Sequence, residues 1–188
     1  MASTLTVDSI VGATTAGTVK VPGAMIQTVT GKLTTQLAVD GVSGATDYFV
    51  DIGLNASITP KFSNSNILIT VTMFIAGDTG NSGFQQMFRI HKGASPLTES
   101  HGDGAGNRKP VAGYINHYTD TTGYRIGYLG GTYIDTNVGT TNATTYSIHC
   151  RSYSDHPMIL INRTNVYGNT ADYEPTPQST ITLQEIAV

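Results

Sequence analysis

Five histidines are the side chains of this sequence best suited to bind a metal ion or to move a proton near neutral pH. They are scattered from residue 91 onward as His91, His101, His117, His149 and His156. A zinc site usually draws its ligands from close, regular spacings, which these histidines lack. His101 and His117 lie in loop-like surroundings, where copies around a threefold axis could each contribute one ligand. We expect ordinary surface or strand histidines and predict no bound metal or cofactor.

A glycine-rich stretch, GDGAGNRK at residues 102–109, has the composition of loops that bind phosphate or calcium. A phosphate loop needs Gly-Lys-Ser/Thr at the start of a helix, whereas here the lysine leads directly into Pro110. A calcium loop of the EF-hand type needs alternating carboxylates and a distal Glu, but only Asp103 and Asn107 are present. Because Gly, Asn and Asp favour turns, the stretch is predicted to be a structural turn.

Nucleophilic and carboxylate-based catalysis find no support in the sequence. No Gly-x-Ser-x-Gly motif is present, and Cys150 lies in the strand-like stretch TYSIHCRSY without a base placed beside it. A glycosidase would need two carboxylates facing one groove. Nothing in their spacing brings together the available carboxylates, which are Glu99, Asp103, Asp120 and Asp135. We therefore predict that the protein is not an enzyme.

Tyrosines are concentrated in one segment, as Tyr114, Tyr118, Tyr124, Tyr128 and Tyr133. Tyrosine offers a rigid amphipathic ring and a hydroxyl at little entropic cost, which suits recognition of a glycan or a protein. The alternative is that about half of these rings are buried in the core or in a subunit interface. The predicted recognition loop comprises His101, Asp103, Asn107, Tyr114, His117, Tyr118 and Tyr124.

The composition of these 188 residues favours a single all-β domain. Only 12% are charged, below the ~25% usual for soluble domains, and Thr, Val, Ile and Tyr, which favour strands, are abundant. A net charge of −3 without a Lys/Arg cluster argues against nucleic-acid binding. The sequence shows neither an apolar membrane-spanning segment nor a signal peptide. We expect a protein made in a cytoplasm and stabilised by packing or assembly, since one cysteine forms no internal disulfide.

Alternating hydrophobicity predicts the strands, and it is clearest in NILITVTMFIAG, residues 66–77. One face of this strand is aliphatic and belongs to the core; the other is mixed and carries Leu68, Thr70, Thr72 and Phe74. In PMILIN, residues 157–162, both faces are apolar, so this strand is either central in a two-sided core or half core and half subunit interface. Several short strands separated by turns, without helices, predict an antiparallel β-sandwich or barrel.

Residues 1–23 are predicted to form an extended N-terminal arm, and residues 24–188 a β-sandwich domain. The arm contains two short β-like runs, TLTVDSI and TVKV, but too few large apolar residues to fold alone. Such a segment becomes ordered by main-chain pairing with a neighbour, which favours a role in docking. A disordered leader is the alternative, because Ser-, Thr- and Gly-rich termini often lack structure.

Four groups of motifs follow one another between residues 17 and 188. They are GTVKVPGAMIQTV, then YFVDIGLNASITPKFSNSNILITV, then GDGAGNRKPVAGY, and finally ILINRT with the closing STITLQEIAV. This ordered set resembles a module common in tailed phages, notably marine ones, where it occurs in tail fibres and virion structural proteins. The resemblance implies a jelly-roll-like β-sandwich that assembles as a homotrimer on the virion.

The resemblance leads us to expect a virion structural protein that forms a short trimeric tail-fibre-like or fibre-tip module. Its arm would dock it to other virion proteins, and its exposed loops would bind a glycan or protein of the host surface. Only residues 1–23 precede the module, whereas fibre proteins usually have a long shaft there, so a capsid decoration protein is the alternative. A carbohydrate-binding or carbohydrate-active sandwich protein is a third alternative, from another functional class.

Overall fold

The computed structural model describes residues 20–40, 48–77, 84–106, 108–117, 125–153, 158–166 and 174–188. Within these ranges the chain forms eleven β-strands, one 3-10 helix (Thr98–Ser100) and no helix long and apolar enough to cross a membrane. The strands are β1 (Met25–Leu33), β2 (Leu37–Asp40), β3 (Val50–Ile58), β4 (Asn66–Gly77), β5 (Phe84–Lys92), β6 (Ser95–Pro96), β7 (Gly113–His117), β8 (Gly127–Asp135), β9 (Thr144–Tyr153), β10 (Met158–Ile161) and β11 (Ser179–Ile186). The predicted all-β class is confirmed.

Sheet A is built around β4 and contains β1, β2, β4, β8, β10 and β11. β8 pairs with one edge of β4. Two strands share the opposite edge: β11 pairs with residues 66–72 and β10 with residues 75–77. β1 then pairs with β11 and β2 with β10. The first and the last strand of the fold therefore lie side by side.

Sheet B has the order β3–β9–β5, with β7 and the short β6 sharing the remaining edge of β5. The sandwich has eight strand positions if β1 and β2 are counted as one bent strand, β10 and β11 are counted as another, and the short β6 is left out. Numbered along the chain, these run 1-8-3-6 in sheet A and 2-7-4-5 in sheet B. This is the order of a jelly roll, in which two Greek keys form two antiparallel sheets. The predicted jelly-roll-like sandwich is therefore confirmed.

The two sheets enclose one hydrophobic core, and β4 supplies its centre. The residues of β4 that point inward are fully buried, whereas Leu68, Thr70, Thr72 and Phe74 point outward and are half-buried. The predicted division of this strand into a core face and a mixed face is confirmed. Near the β1 edge the sheets approach so closely that a Cβ atom on Gly31 would lie 1.8 Å from the Asn55 carbonyl oxygen.

The strand β10 is buried on both faces within a single chain. Ile159 and Ile161 point into the core and are fully buried. Leu160, which points to the opposite face, is fully buried as well. Of the two alternatives for PMILIN, two-sided burial is therefore the correct one.

Glu185, in the closing sequence motif, connects distant segments of the sandwich through buried hydrogen bonds, and a residue of this kind is called a polar joint below. It occupies an inward position of β11 and is fully buried. Its carboxylate accepts hydrogen bonds from the backbone N–H groups of Lys61 (2.9 Å) and Phe62 (3.1 Å) and from Nε2 of Gln27 (2.6 Å). Burial acts to raise the pKa of Glu185, but these hydrogen bonds outweigh it and hold the pKa below its usual value. The ionised side chain thereby fastens the turn after β3 to sheet A.

Asn162, in the ILINRT motif, forms a second joint at the end of β10. Its backbone is in the left-handed region (φ 59°), which Asn tolerates better than most residues. Its Nδ2 donates hydrogen bonds to the carbonyl oxygens of Leu33 (2.7 Å) and Thr35 (3.2 Å), and its Oδ1 accepts one from the Ser179 hydroxyl (2.6 Å). One buried side chain thus connects the turn between β1 and β2 with the start of β11.

The predicted arm lies mostly outside the described residues, which begin at Lys20. Residues 20–23 already contact the sandwich: Gly23 N–H donates to the Ala187 carbonyl oxygen (2.8 Å), and Nζ of Lys20 donates to Oδ1 of Asn64 (3.0 Å). The boundary at residue 23 and the docking role of the arm stay predictions.

Candidate functional site

The outer face of sheet B carries a group of titratable side chains drawn from three strands and one loop. Alternation along β5 turns Arg89 and His91 toward this face, and alternation along β9 does the same for Ser147 and His149. Antiparallel pairing places Arg89 opposite His149, His91 opposite Ser147, and Asp51 of β3 on the far side of His149. The group is called the histidine cluster below; its members are Asp51, Arg89, His91, His101, Ser147 and His149.

Two imidazole rings stack at the centre of the histidine cluster. The rings of His91 and His149 lie parallel within 5°, with centroids 3.7 Å apart. Nε2 of His149 lies 3.1 Å from the Ser147 hydroxyl oxygen and 3.9 Å from Oδ2 of Asp51. His91 and His149 occupy diagonal positions of neighbouring strands, which brings side chains of this size into contact.

Arg89 is buried beneath the loop formed by residues 97–112. Only 8% of it is exposed, although it lies on the outer face of the sheet. Its guanidinium carbon lies 4.1 Å from the centroid of the Phe49 ring, and its Nε donates a hydrogen bond to the Pro110 carbonyl oxygen (2.9 Å). A buried cation of this kind is stabilised by the aromatic face and by the carbonyl. Within the glycine-rich stretch the Arg108 N–H donates a turn hydrogen bond to the Ala105 carbonyl oxygen (3.2 Å), which agrees with the predicted turn; Asn107 lies outside the described residues.

The two half-buried histidines beside Arg89 are uncharged near neutral pH. Burial, followed by the charges of His149, Arg89 and His101, lowers the pKa of His91 to about 4. Burial and the Arg89 charge also lower the pKa of His101. Nδ1 of His91 and Nε2 of His101 are buried and receive no hydrogen bond. The cluster therefore holds a fixed positive charge on Arg89 beside neutral imidazoles that resist protonation.

Ser147, His149 and Asp51 are the residue types of a catalytic triad, but their geometry is different. In a triad the serine and the carboxylate contact opposite nitrogens of the imidazole, so that one orients the ring while the other exchanges a proton. Here both Ser147 and Asp51 approach Nε2 of His149. The arrangement therefore does not prepare the serine as a nucleophile.

Metal binding finds no site in the part of the chain that the structure describes. No group of three or more His, Cys, Asp or Glu side chains is arranged there to hold an ion. The side chain of His117 and all of His156 lie outside the described residues. A site on a threefold axis would need further copies of the chain, so that alternative stays a prediction.

The predicted recognition loop is only partly brought together. His101 joins the histidine cluster and is half-buried, while Asp103 is exposed in the turn above it. Tyr114 lies on β7, 49% exposed, and pairs with Met87 next to the cluster. His117 ends β7 and pairs with Phe84, but its side chain is not described. The remaining members, Asn107, Tyr118 and Tyr124, lie outside the described residues.

Two of the other tyrosines divide between the interior and the surface, as the alternative for this segment expected. The ring of Tyr133 packs edge-on against Phe88 (centroids 6.0 Å apart), and its hydroxyl donates to the Ala112 carbonyl oxygen (2.8 Å). Tyr128, in contrast, is 58% exposed on the outer face of sheet A. Alternation along β8 explains the difference, because residues 128 and 133 point to opposite faces.

Two of the carboxylates considered for catalysis form structural contacts instead. Asp135 is buried, accepts a short hydrogen bond from the Tyr146 hydroxyl and pairs with Nζ of Lys92 (2.8 Å), which joins the two sheets. Glu99 accepts hydrogen bonds from the backbone N–H and the hydroxyl of Thr136, both at 2.7 Å, and these lower its pKa.

Cys150 lies at an inward position of β9. Its thiol is fully buried and contacts the Met73 sulfur at 3.9 Å. Burial raises the pKa of the thiol far above its usual value, so no thiolate forms near neutral pH.

The histidine cluster is the part of the site that sequence reasoning missed. Three of the five histidines, far apart in sequence, come together because β5 pairs with β9 and the 97–112 loop folds over both. A partial signal was present, since FRIH and SIHCR alternate apolar with basic residues. That alternation identifies an outward basic stripe on each strand, but it does not say that the two strands are neighbours.

Comparisons with known proteins do not assign the chain to a family. No protein-family model matches the chain, and no curated protein matches it. Among solved structures, a similar one is a chain in a structure of infectious bursal disease virus, Gt strain, with 8% sequence identity and a TM-score of 0.42. The match covers 97% of this chain and 43% of the viral chain, so this chain spans less than half of that length. Similarity at this level assigns neither family nor function.

Proposed function

We propose that the protein is a structural component of a tailed-phage virion, a short fibre-tip or tail-fibre-like module. One observation carries the proposal: residues of the phage-like motifs are the polar joints of the jelly roll. Glu185 and Ser179 belong to STITLQEIAV and Asn162 to ILINRT, and each makes buried hydrogen bonds between distant segments. The motifs therefore belong together as parts of one fold, which gives weight to the resemblance they carry.

The proposed role is binding and assembly rather than catalysis. The residues best suited to chemistry have other structural tasks: Cys150 is fully buried, Asp135 joins the sheets, and Ser147 and Asp51 approach the same nitrogen of His149. These observations support a virion component whose surface, not a reactive group, performs the function.

The surface that we assign to host recognition lies on the outer face of sheet B and in the loop above it. Tyr114 presents a half-exposed ring there, and Asp103 an exposed carboxylate. A tyrosine ring next to polar groups suits a glycan or a protein of the host surface. The rigid support beneath it is the buried Arg89, held by Phe49 and Pro110.

We further propose that the protein is a homotrimer docked to other virion proteins through residues 1–23. The homotrimer is inferred from the resemblance to the phage module. Binding to nucleic acid is not part of the proposed function, because the net charge is −3 and the sequence shows no basic cluster. Insertion into a membrane is not part of it either, because the sequence shows no apolar segment long enough to span one.

Imaging of virions would test the proposal. Val188 follows β11 and is 53% exposed, so a small tag inserted directly after it lies outside the core and can be located with a bound antibody fragment. We expect label at the tail or at a fibre tip. Label over the capsid lattice would replace the fibre assignment by capsid decoration, and particles without the protein would contradict a virion role. Release of reducing sugar from host polysaccharide by the purified protein would contradict the non-catalytic assignment.

A further inference from the structure

An ion pair between the ends of two strands brings a primary amine and a carboxylate into contact inside the sandwich. Lys92 is the last residue of β5 in sheet B, and Asp135 is the last residue of β8 in sheet A. Nζ of Lys92 lies 2.8 Å from Oδ2 of Asp135, and the two side chains are 29% and 5% exposed. Nζ also donates a hydrogen bond to the Val138 carbonyl oxygen (3.0 Å), which helps to hold the amine beside the carboxylate.

The Tyr146 hydroxyl contacts the same carboxylate. Tyr146 is fully buried, is the cross-strand partner of Lys92 and donates a hydrogen bond to Oδ2 of Asp135. Burial, followed by the hydrogen bond with Asp135, raises the pKa of Tyr146 far above its usual value, so its hydroxyl stays protonated near neutral pH. One oxygen of the Asp135 carboxyl group is therefore contacted both by an amine and by a permanent hydrogen-bond donor.

An amine and a carboxyl group held in this way can condense to an amide. Burial removes water from both charged groups, which favours transfer of a proton from the ammonium to the carboxylate and leaves a neutral amine beside a neutral acid. Contact within one folded chain replaces a bimolecular encounter, and effective concentrations for well-oriented groups reach about 10⁵–10⁸ M. A hydrogen bond donated to the oxygen that leaves assists its departure.

We propose that Lys92 and Asp135 form an isopeptide crosslink between the two sheets once the chain has folded. Nζ of Lys92 passes one proton to Oδ2 of Asp135 and attacks Cγ, so that the Nζ–Cγ bond forms. A second proton moves from Nζ to the same oxygen, the Cγ–Oδ2 bond breaks, and Oδ2 leaves as water while the Tyr146 hydroxyl donates to it. One ammonium and one carboxylate thereby become one secondary amide and one water molecule, and no further reagent is consumed.

The crosslink gives covalent support to a sandwich that cannot form an internal disulfide, since Cys150 is its single cysteine. The amide closes the chain between residues 92 and 135 into a loop and restricts the unfolded state, as a disulfide does. This stabilisation adds to that of the ion pair alone. The inference goes beyond the proposed function and does not depend on a role in the virion.

Mass spectrometry of the denatured full-length protein tests the proposal, because the condensation removes one water molecule. A tryptic digest locates the loss: trypsin does not cleave after an acylated lysine, so the peptide with Lys92 appears joined to the peptide with Asp135. In the test variant Lys92→Arg, the guanidinium keeps the positive charge and the donors but stays protonated and does not condense. Lys32→Arg makes the same exchange at an exposed position of β1 and is the matched control.

We expect a mass one water below that of the sequence for the unmodified protein and for Lys32→Arg, with joined peptides in both, and the full mass for Lys92→Arg. The full mass for the unmodified protein, after incubation of the folded chain until its spectrum no longer changes, would overturn the proposal. A loss of water that persists in Lys92→Arg would also overturn it, since a succinimide at Asp40-Gly41 or Asp103-Gly104 has the same mass. If Lys92→Arg does not fold, the digest of the unmodified protein decides, because separate peptides contradict the crosslink.

Discussion

The two outer faces of this sandwich share one core and one alternation rule, yet they differ in chemistry. On the outer face of β1, β4, β8 and β11, sheet A presents hydroxyls and scattered apolar groups, with Lys32 on the edge strand as the charged residue of these strands. Sheet B presents Arg89, stacked imidazoles and the Asp51 carboxylate, partly beneath a loop. Alternation fixes which residues point outward, but it leaves their identity free, so each face can be specialised for a different partner.

The contrast between the core face and the outward face of β4 should be tested first, because it gives the largest expected effect. Ile69 and Thr70 are neighbours on β4; Ile69 is fully buried and Thr70 points outward. Ile69→Ala leaves a cavity and should lower the free energy of unfolding by ~2–5 kcal/mol. Thr70→Ala should change it by less than about 0.5 kcal/mol. Equal losses in urea denaturation would mean that the faces of β4 are assigned wrongly.

A pair of lysines sharpens the comparison at an intermediate scale. Lys92 joins the sheets through Asp135, whereas Lys32 is exposed on β1, the edge strand of sheet A. Lys92→Met leaves the buried Asp135 carboxylate with one donor fewer and should cost about 1–3 kcal/mol of unfolding free energy. Lys32→Met should be neutral within about 0.5 kcal/mol. A neutral Lys92→Met in chemical denaturation would show that the joint contributes nothing to stability.

The smallest expected effect is a change of stability with pH, and a different residue causes it in each sheet. The folded state lowers the pKa of His91 to about 4 from 6.5, so the unfolded chain takes up the proton first. Stability from this residue is complete above about pH 6.5 and is lost as the pH falls toward 4. In sheet A the pKa of Glu185 is lowered from the usual carboxyl value of 4.5. Glu185 therefore contributes its full share of stability above about pH 4.5 and loses that share at lower pH, where its carboxylate is protonated.

The variant His91→Gln should therefore lose less thermal stability than the unmodified protein between about pH 7 and about pH 5. Thr145→Gln, on the same face, serves as the control and should follow the unmodified protein. Melting temperatures from circular dichroism at several pH values would check this. Parallel curves for all three proteins would show that the fold does not keep His91 neutral.

Local patterns predicted the fold well because they report on single strands. The alternation of β4 identified its core face correctly. The closing STITLQEIAV contains a second local signal, a carboxylate in a series of apolar inward residues. There Ile181 and Leu183 point inward and Glu185 follows at the next inward position. A carboxylate at a core position predicts a buried polar joint, although its donors at residues 61 and 62 belong to a distant turn.

Most of the candidate site could not be predicted, because it depends on which strands become neighbours. The stack of His91 on His149 requires the register between β5 and β9, which the alternation within each strand does not specify. The burial of Arg89 requires the 97–112 loop to fold back over β5. The strands were predicted from their local patterns, but which strands become neighbours was not.

The pairing order of sheet A has a consequence for biosynthesis. β11 lies between β1 and β4, so the last strand of the fold completes the middle of a sheet whose other strands are made earlier. Until residues 179–186 have left the ribosome, β1 and β4 each keep an unpaired edge. Pairings between segments so distant in sequence form slowly, and unpaired edges invite contacts with other chains. The sandwich is therefore completed only after residues 179–186 have been synthesised, and until then its partly folded form exposes strand edges that can bind other chains.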